Sequence, residues 1–408
     1  IENNALYIDK TKFITELLDD AAEVKLFIRP RRFGKSLFLS TLDSFYNLEN
    51  KNKKLFNNLY ISKSKYFKSF GLYPVIRLSM KNIISSNYEG MLEDFRDQLI
   101  PFINKIKKFK KLTELDMSLI KRIQDCNESA LSHALEHFTR FYYQNYNIKT
   151  IILIDEYESP LLNSFIKGFY EQALNFFQSL YTSAFKSNIY LEKVILTGIT
   201  QLTHANIFSQ LNNLEIYTYE MEQYADTFGF TQEEVDQLFN YFNIKEYRTQ
   251  VKEYYDGYTF GDKEIYNPWS IVNFSFYKEL KPYWAYTSSV EIIRNLLQKG
   301  SNDLKANFFK LLNGEIINIS DTNINNLVIS DLDVPSKLFA FMVNTGYLTF
   351  IKGKGVKFVN KEMMYSIASI CSGGIYKEDS IKLEEELNTI NEILQDDNKL
   401  EEFVINQL

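Results

Sequence analysis

Lys35 and Ser36 close the stretch "RPRRFGKS", residues 29–36. A Gly-Lys-Ser ending is the chemistry of a phosphate-binding loop. The lysine ammonium faces the β and γ phosphates and the hydroxyl reaches a metal ion. Gly34 removes the Cβ where a phosphate comes closest. The first position of such a loop is usually glycine, and here it is Arg29. Pro30 can help set the turn, and Arg29 fits if its φ is negative. The candidate phosphate-contacting stretch is therefore Arg29, Pro30, Arg31, Arg32, Phe33, Gly34, Lys35, Ser36 and Leu37. Arg31 and Arg32 each have two readings, a solvated or structural arginine, or a phosphate contact that includes an arginine finger offered across a subunit interface.

A second set of chemistry-bearing residues ends the apolar run "IILIDEYE", residues 151–158. Two carboxylates at a buried strand tip are costly unless compensated. Asp155 is placed to hold Mg²⁺ together with Ser36, and Glu156 to polarise an attacking water. A third site residue is Thr200, the polar end of "LEKVILTGIT", followed by Gln201. It can touch a γ-phosphate or the water if its strand lies between the other two. His133 and His137 have the spacing of a zinc pair, but no third ligand accompanies them and no metal is assigned there.

These residues need strands that deliver them to one edge. Val24–Ile28 reads as a strand entering the loop, and "SLFLSTLDSFYNL" after Lys35 has helical apolar spacing. Further strands are expected over residues 73–80, 150–158, 191–200 and 213–220, with helices over 88–146 and 168–187. Apolar strands alternating with helices predict an α/β fold, a parallel sheet flanked by helices. Beyond residue 226 the pattern turns helical, opening on a capping box, Thr231 with Glu234. One small hairpin is expected around Asp256–Asp262. The expected domains are residues 1–225, residues 226–350 and a charged helical tail over 351–408.

Bulk properties narrow the partners. A chain of 408 residues exceeds one ordinary core. Its net charge of -6 gives no global attraction to nucleic acid or anionic membrane. Two cysteines suit a reducing cytoplasm, and no apolar run approaches the roughly 20 residues needed to span a bilayer. No signal peptide is recognisable, and the start at Ile1 is expected to reflect trimming. The many Tyr and Phe are read as the bias of an A+T-rich genome.

The segments "YIDKTKFITELL", "RPRRFGKS", "LIDEYESPL", "LTGITQLTHANIFSQLNNL", "FGFTQEEV", "YYDGYTFG", "YNPWSIVNF" and "NTGYLTF" occur in that order between Tyr7 and Phe350. In this the chain resembles the predicted AAA-ATPase-like bacterial family, whose loop also begins with Arg. The resemblance implies a P-loop NTPase core, ATP and Mg²⁺ as ligands, and a lid-like or winged-helix-like second domain. That family is often fused to a C-terminal nuclease-like domain of the PD-(D/E)XK type. Its acidic constellation is absent from Lys352–Leu408, so no nuclease activity is assigned. Asp256, Tyr258, Tyr266, Asn267 and Pro268 match the family motifs and are expected in turns and interdomain packing. Three functions stay open: an ATPase switch or motor, a nucleotide-binding regulatory module without turnover, and the ATPase part of a nucleic-acid-processing system. A homo-oligomer or a protein partner is compatible with all three.

Overall fold

In a computed structural model of the chain, the described residues are 6–200, 207–208, 210–284, 293, 301–319, 335–351 and 353–371. They divide into two units, residues 1–29 with 35–218, and residues 30–34 with 219 onward.

The first unit is built on a five-stranded parallel sheet. After helix α1 (Lys12–Asp19) come β1 (Val24–Ile28), α2 (Lys35–Tyr46) and β2 (Val75–Ser79). Helices α3 (Tyr88–Ile106), α4 (Glu114–Gln124), α5 (Glu128–Leu131) and α6 (Ala134–Tyr146) lead to β3 (Thr150–Asp155). Then α7 (Ser159–Lys167), α8 (Tyr170–Phe185), β4 (Leu191–Gly198) and β5 (Leu214–Tyr217) complete the unit. The spatial order is β2-β3-β4-β1-β5 and every pairing is parallel. Every residue of β1 and β3 is buried, the burial expected of strands covered on both faces. β4 lies between β1 and β3, the position that makes its polar end relevant to both motifs. Register brings the three strand ends together: Ile28 pairs with Gly198, and Ile154 with Leu196.

The sequence reading runs the third strand on to Glu158; the structure ends it at Asp155. Glu156 adopts a left-handed φ of 52° and leaves the strand. The chain then enters α7, unforeseen in the sequence, with Pro160 in its first turn and Gly168 closing it at φ 84°.

The second unit contains α9 (Gln232–Phe242), α10 (Arg248–Tyr255) and a hairpin of β6 (Tyr258–Phe260) with β7 (Lys263–Ile265). α11 (Pro268–Tyr277), α12 (Asn302–Leu312) and α13 (Pro335–Thr345) follow. A second hairpin, β8 (Leu348–Ile351) with β9 (Gly355–Phe358), precedes α14 (Lys361–Cys371). The Thr231–Glu234 capping box is formed. The second hairpin is not in the sequence reading; Gly353, at φ 73°, lies in its turn, and Gly355, at φ 125°, opens β9. The charged tail after Cys371 and the expected site neighbour Gln201 lie outside the described residues.

Candidate functional site

In the first unit the two motifs meet. Lys35 is the first residue of α2; it is buried and donates from Nζ to the Arg29 carbonyl at 3.0 Å. Ser36 donates from Oγ to Asp155 Oδ2 at 2.5 Å, although 119 residues separate them. Thr197, on β4, donates from Oγ1 to Asp155 Oδ1 at 2.7 Å. The buried Asp155 carboxylate thus accepts from two hydroxyls, one on each of its oxygens. Leu37, in the first turn of α2, is exposed.

Arg29 is wholly buried. Its guanidinium donates from Nη1 to the carbonyls of Ile28 (2.8 Å) and Tyr217 (3.0 Å), and burial lowers its pKa to about 9. The side chain is turned into the β1–β5 strand ends, while its backbone N–H continues the β1 ladder onto Gly198. Positive φ falls instead on Arg32 (64°) and Gly34 (88°).

After Asp155 the chain is strapped to the end of β4. Glu156 accepts at Oε2 from Ser159 Oγ at 3.1 Å. Tyr157, buried, donates its hydroxyl to the Thr200 carbonyl at 2.8 Å, and Glu158 Oε1 accepts from the Ile199 N–H at 2.9 Å. Glu158 Oε2 is buried with no hydrogen-bond partner. Burial, and then the neighbouring Glu156 charge, push the Glu158 carboxyl toward its neutral form. Thr200 is itself wholly buried. This strap explains the left-handed Glu156: residues on both sides of it are tied down.

The residues 30–34 belong to the second unit. The Arg31 carbonyl accepts from Trp284 Nε1 (3.1 Å) and Asn267 Nδ2 (3.3 Å). Arg32 donates from Nη1 to the Tyr283 carbonyl (2.9 Å), and its guanidinium lies 4.6 Å from the centre of the Trp269 ring. Phe33 is buried against Tyr258 and Phe260, with ring centres 4.8 and 5.2 Å away, and its carbonyl accepts from the Gly229 N–H. A Cβ placed on Gly34 would meet no atom within 4 Å.

Thr197, Tyr157, Glu158, Asn267 and Trp284 are functional candidates that motif reading alone passes over as participants. The one signal for Thr197 is that it is the first polar residue in the apolar run "VILTGIT".

The Predicted AAA-ATPase family model matches residues 1–208. The chain belongs to that family. Its first half is an ATPase-like nucleotide-binding domain of the predicted AAA-ATPase kind. A protein of Azotobacter chroococcum mcd 1, described as an uncharacterized protein in the vnfD 5'region, is 24% identical over 344 residues, covering 84% of this chain and 60% of that protein. This family member thus spans about three-fifths of that relative's length. No solved structure matches the chain. Among the described residues, no helix is long and apolar enough to cross a membrane.

Proposed function

We propose that the chain binds ATP with Mg²⁺ and hydrolyses it. The observation that carries this is the Ser36–Asp155 contact, a hydroxyl from one motif on a carboxylate from the other. The residues fit the ligand. Gly34 opens onto empty space, as close phosphate approach requires. Lys35, held at the first turn of a helix, brings an ammonium to the loop where the helix N-terminus favours anions. Ser36 and Asp155 would hold Mg²⁺, which supplies charge neutralisation on phosphate oxygens when bound. One hydroxyl and one carboxylate suit an ion that keeps several waters and takes the rest from phosphates.

Within that arrangement Lys35 binds the β and γ phosphates. Glu156 orients water and accepts its proton. Thr197 fixes Asp155, and Thr200, tied to Tyr157, positions the end of β4. Calorimetry with Mg·ATP on wild type and Lys35→Ala, beside a phosphate-release assay, tests the proposal. Equal affinity of the two proteins removes the phosphate-loop assignment. Binding in wild type without release leaves a nucleotide-binding module.

A further inference from the structure

A phosphate loop works by aiming consecutive backbone N–H groups at one anion. Such a loop must be held, because a left-handed residue other than glycine, here Arg32, costs about 1–2 kcal/mol and persists only when its surroundings enforce it. The restraints come from the second unit, and they act on carbonyls. Asn267 and Trp284 both donate to the Arg31 carbonyl, and the Gly229 N–H donates to the Phe33 carbonyl. In a trans peptide the C=O and the following N–H point in opposite directions; no cis peptide is present among the described residues. Anchoring the Arg31 carbonyl therefore aims the Arg32 N–H the other way, and anchoring the Phe33 carbonyl does the same for the Gly34 N–H. Phe33, seated between Tyr258 and Phe260, pins the segment between those peptides.

The donors are themselves preset. Asn267 caps α11: its Oδ1 accepts from the N–H groups of Trp269 (2.9 Å) and Ser270 (3.3 Å), which leaves Nδ2 as the donor. Trp284 is wholly buried, edge-on to Tyr347, and its own backbone N–H is held by Glu362 at 2.9 Å. The chain has two tryptophans, and both touch this segment, Trp284 at Arg31 and Trp269 at Arg32.

We propose that Asn267 and Trp284 are positioning residues for the nucleotide: by holding the Arg31 carbonyl they orient the loop N–H groups that receive phosphate, so occupancy by ATP is felt at the tryptophans of the second unit. This rests on the nucleotide-binding reading above. It also accounts for Asn267 in the "YNPWS" motif, which the catalytic residues do not involve. Because the linkage is reciprocal, whatever tightens these contacts tightens nucleotide binding, and nucleotide tightens them.

The test uses the full 408-residue chain. Asn267→Asp keeps the helix cap, since Asp and Asn cap about equally well, but removes the donor to Arg31. Trp284→Phe keeps an aromatic ring and removes the indole N–H. Mg·ATP affinity by calorimetry should fall about tenfold for Asn267→Asp and roughly three- to tenfold for Trp284→Phe, the loss of one hydrogen bond each. Urea unfolding midpoints show which variants stay folded; should Asn267→Asp unfold, Trp284→Phe decides. In ¹⁵N-tryptophan-labelled wild type, Mg·ADP should shift both indole signals, and Lys35→Ala should abolish the shift. A structural role alone would leave the indole signals indifferent to nucleotide. Wild type that binds ATP, with folded variants of unchanged affinity or with unmoved indole signals, overturns the inference and leaves the proposed function standing. Wild type that binds no nucleotide overturns both.

Discussion

Gly198 ends β4 directly beside the strap that follows Asp155, and replacing it with alanine tests that strap. A Cβ at this position would sit 2.4 Å from Glu158 Oε2 and 2.6 and 2.7 Å from two carbons of the Tyr157 ring. To restore an ordinary 3.4 Å contact, the carboxylate would have to retreat by about 1 Å (3.4 minus 2.4). Neither side chain is free to do so, for both are buried, and Tyr157 is held on Thr200 and Glu158 on Ile199. Overpacking of this kind costs about 1–3 kcal/mol. Loss of one of the two hydrogen bonds adds about 1 kcal/mol. Alanine returns about 0.4–1 kcal/mol by restricting the unfolded chain. The net expectation is a destabilisation of about 1–3.5 kcal/mol. Gly168→Ala is the internal comparator: its Cβ would meet nothing, but its φ of 84° imposes only backbone strain, about 1–2 kcal/mol. Urea unfolding followed by fluorescence and circular dichroism ranks the two. Since Tyr157 and Glu158 follow Glu156, Gly198→Ala should also slow ATP turnover more than it weakens ATP binding. A Gly198→Ala protein as stable as wild type, or less affected than Gly168→Ala, would refute the strap.

Glu156→Gln keeps size but loses the carboxylate, so single-turnover ATP hydrolysis should drop roughly 10²–10⁴-fold while calorimetric ATP affinity survives. Asp155→Asn should weaken the Mg²⁺-dependent part of ATP binding, measured as the difference in affinity with and without the metal, because the Ser36 and Thr197 hydroxyls lose a charged acceptor. Glu362 is buried, accepts from Ser270 Oγ and the Trp284 N–H, and burial raises its pKa from 4.5 to about 8. The folded state therefore holds this proton more tightly than the unfolded one. The resulting stability is present below about pH 4.5 and lost as pH rises through about 8. Glu362→Gln should thus gain stability relative to wild type between pH 5 and 9, by a few kcal/mol in paired urea titrations. A constant difference across that range would contradict the burial of this carboxyl.

The sheet was legible because its strands are buried on both faces, which demands uninterrupted apolar runs such as Val24–Ile28 and Ile151–Ile154. The placement of Lys35, Ser36 and Asp155 was legible because each ends such a run or opens the helix beyond it. The end of β3 was not. What stops it is the anchoring of Tyr157 and Glu158 on β4, a contact more than forty residues away that no local pattern encodes. Helix α7 was hidden for the same reason, since only Pro160 and Gly168 mark its limits. The contacts of Asn267 and Trp284 with the Arg31 carbonyl were further from view. The two residues are 236 and 253 residues from Arg31, and a polar residue before a proline reads locally as a helix cap, which Asn267 also is.

That long separation bears on how the protein is made. Residues 30–34 are synthesised early, yet the groups that receive them, Gly229, Tyr258, Phe260, Asn267 and Trp284, emerge from the ribosome only after the whole parallel sheet has been translated. Until then Phe33 has no aromatic socket and the Arg31 carbonyl has no indole or amide to meet. A nascent chain halted near residue 218 would carry a finished sheet with an unseated loop. Conversely, the later half expressed alone would lack its plug, and the aromatic socket of Tyr258 and Phe260 would stand open to solvent. On the proposed reading, the phosphate loop is seated only after Trp284 has been translated, although its own residues are translated almost first.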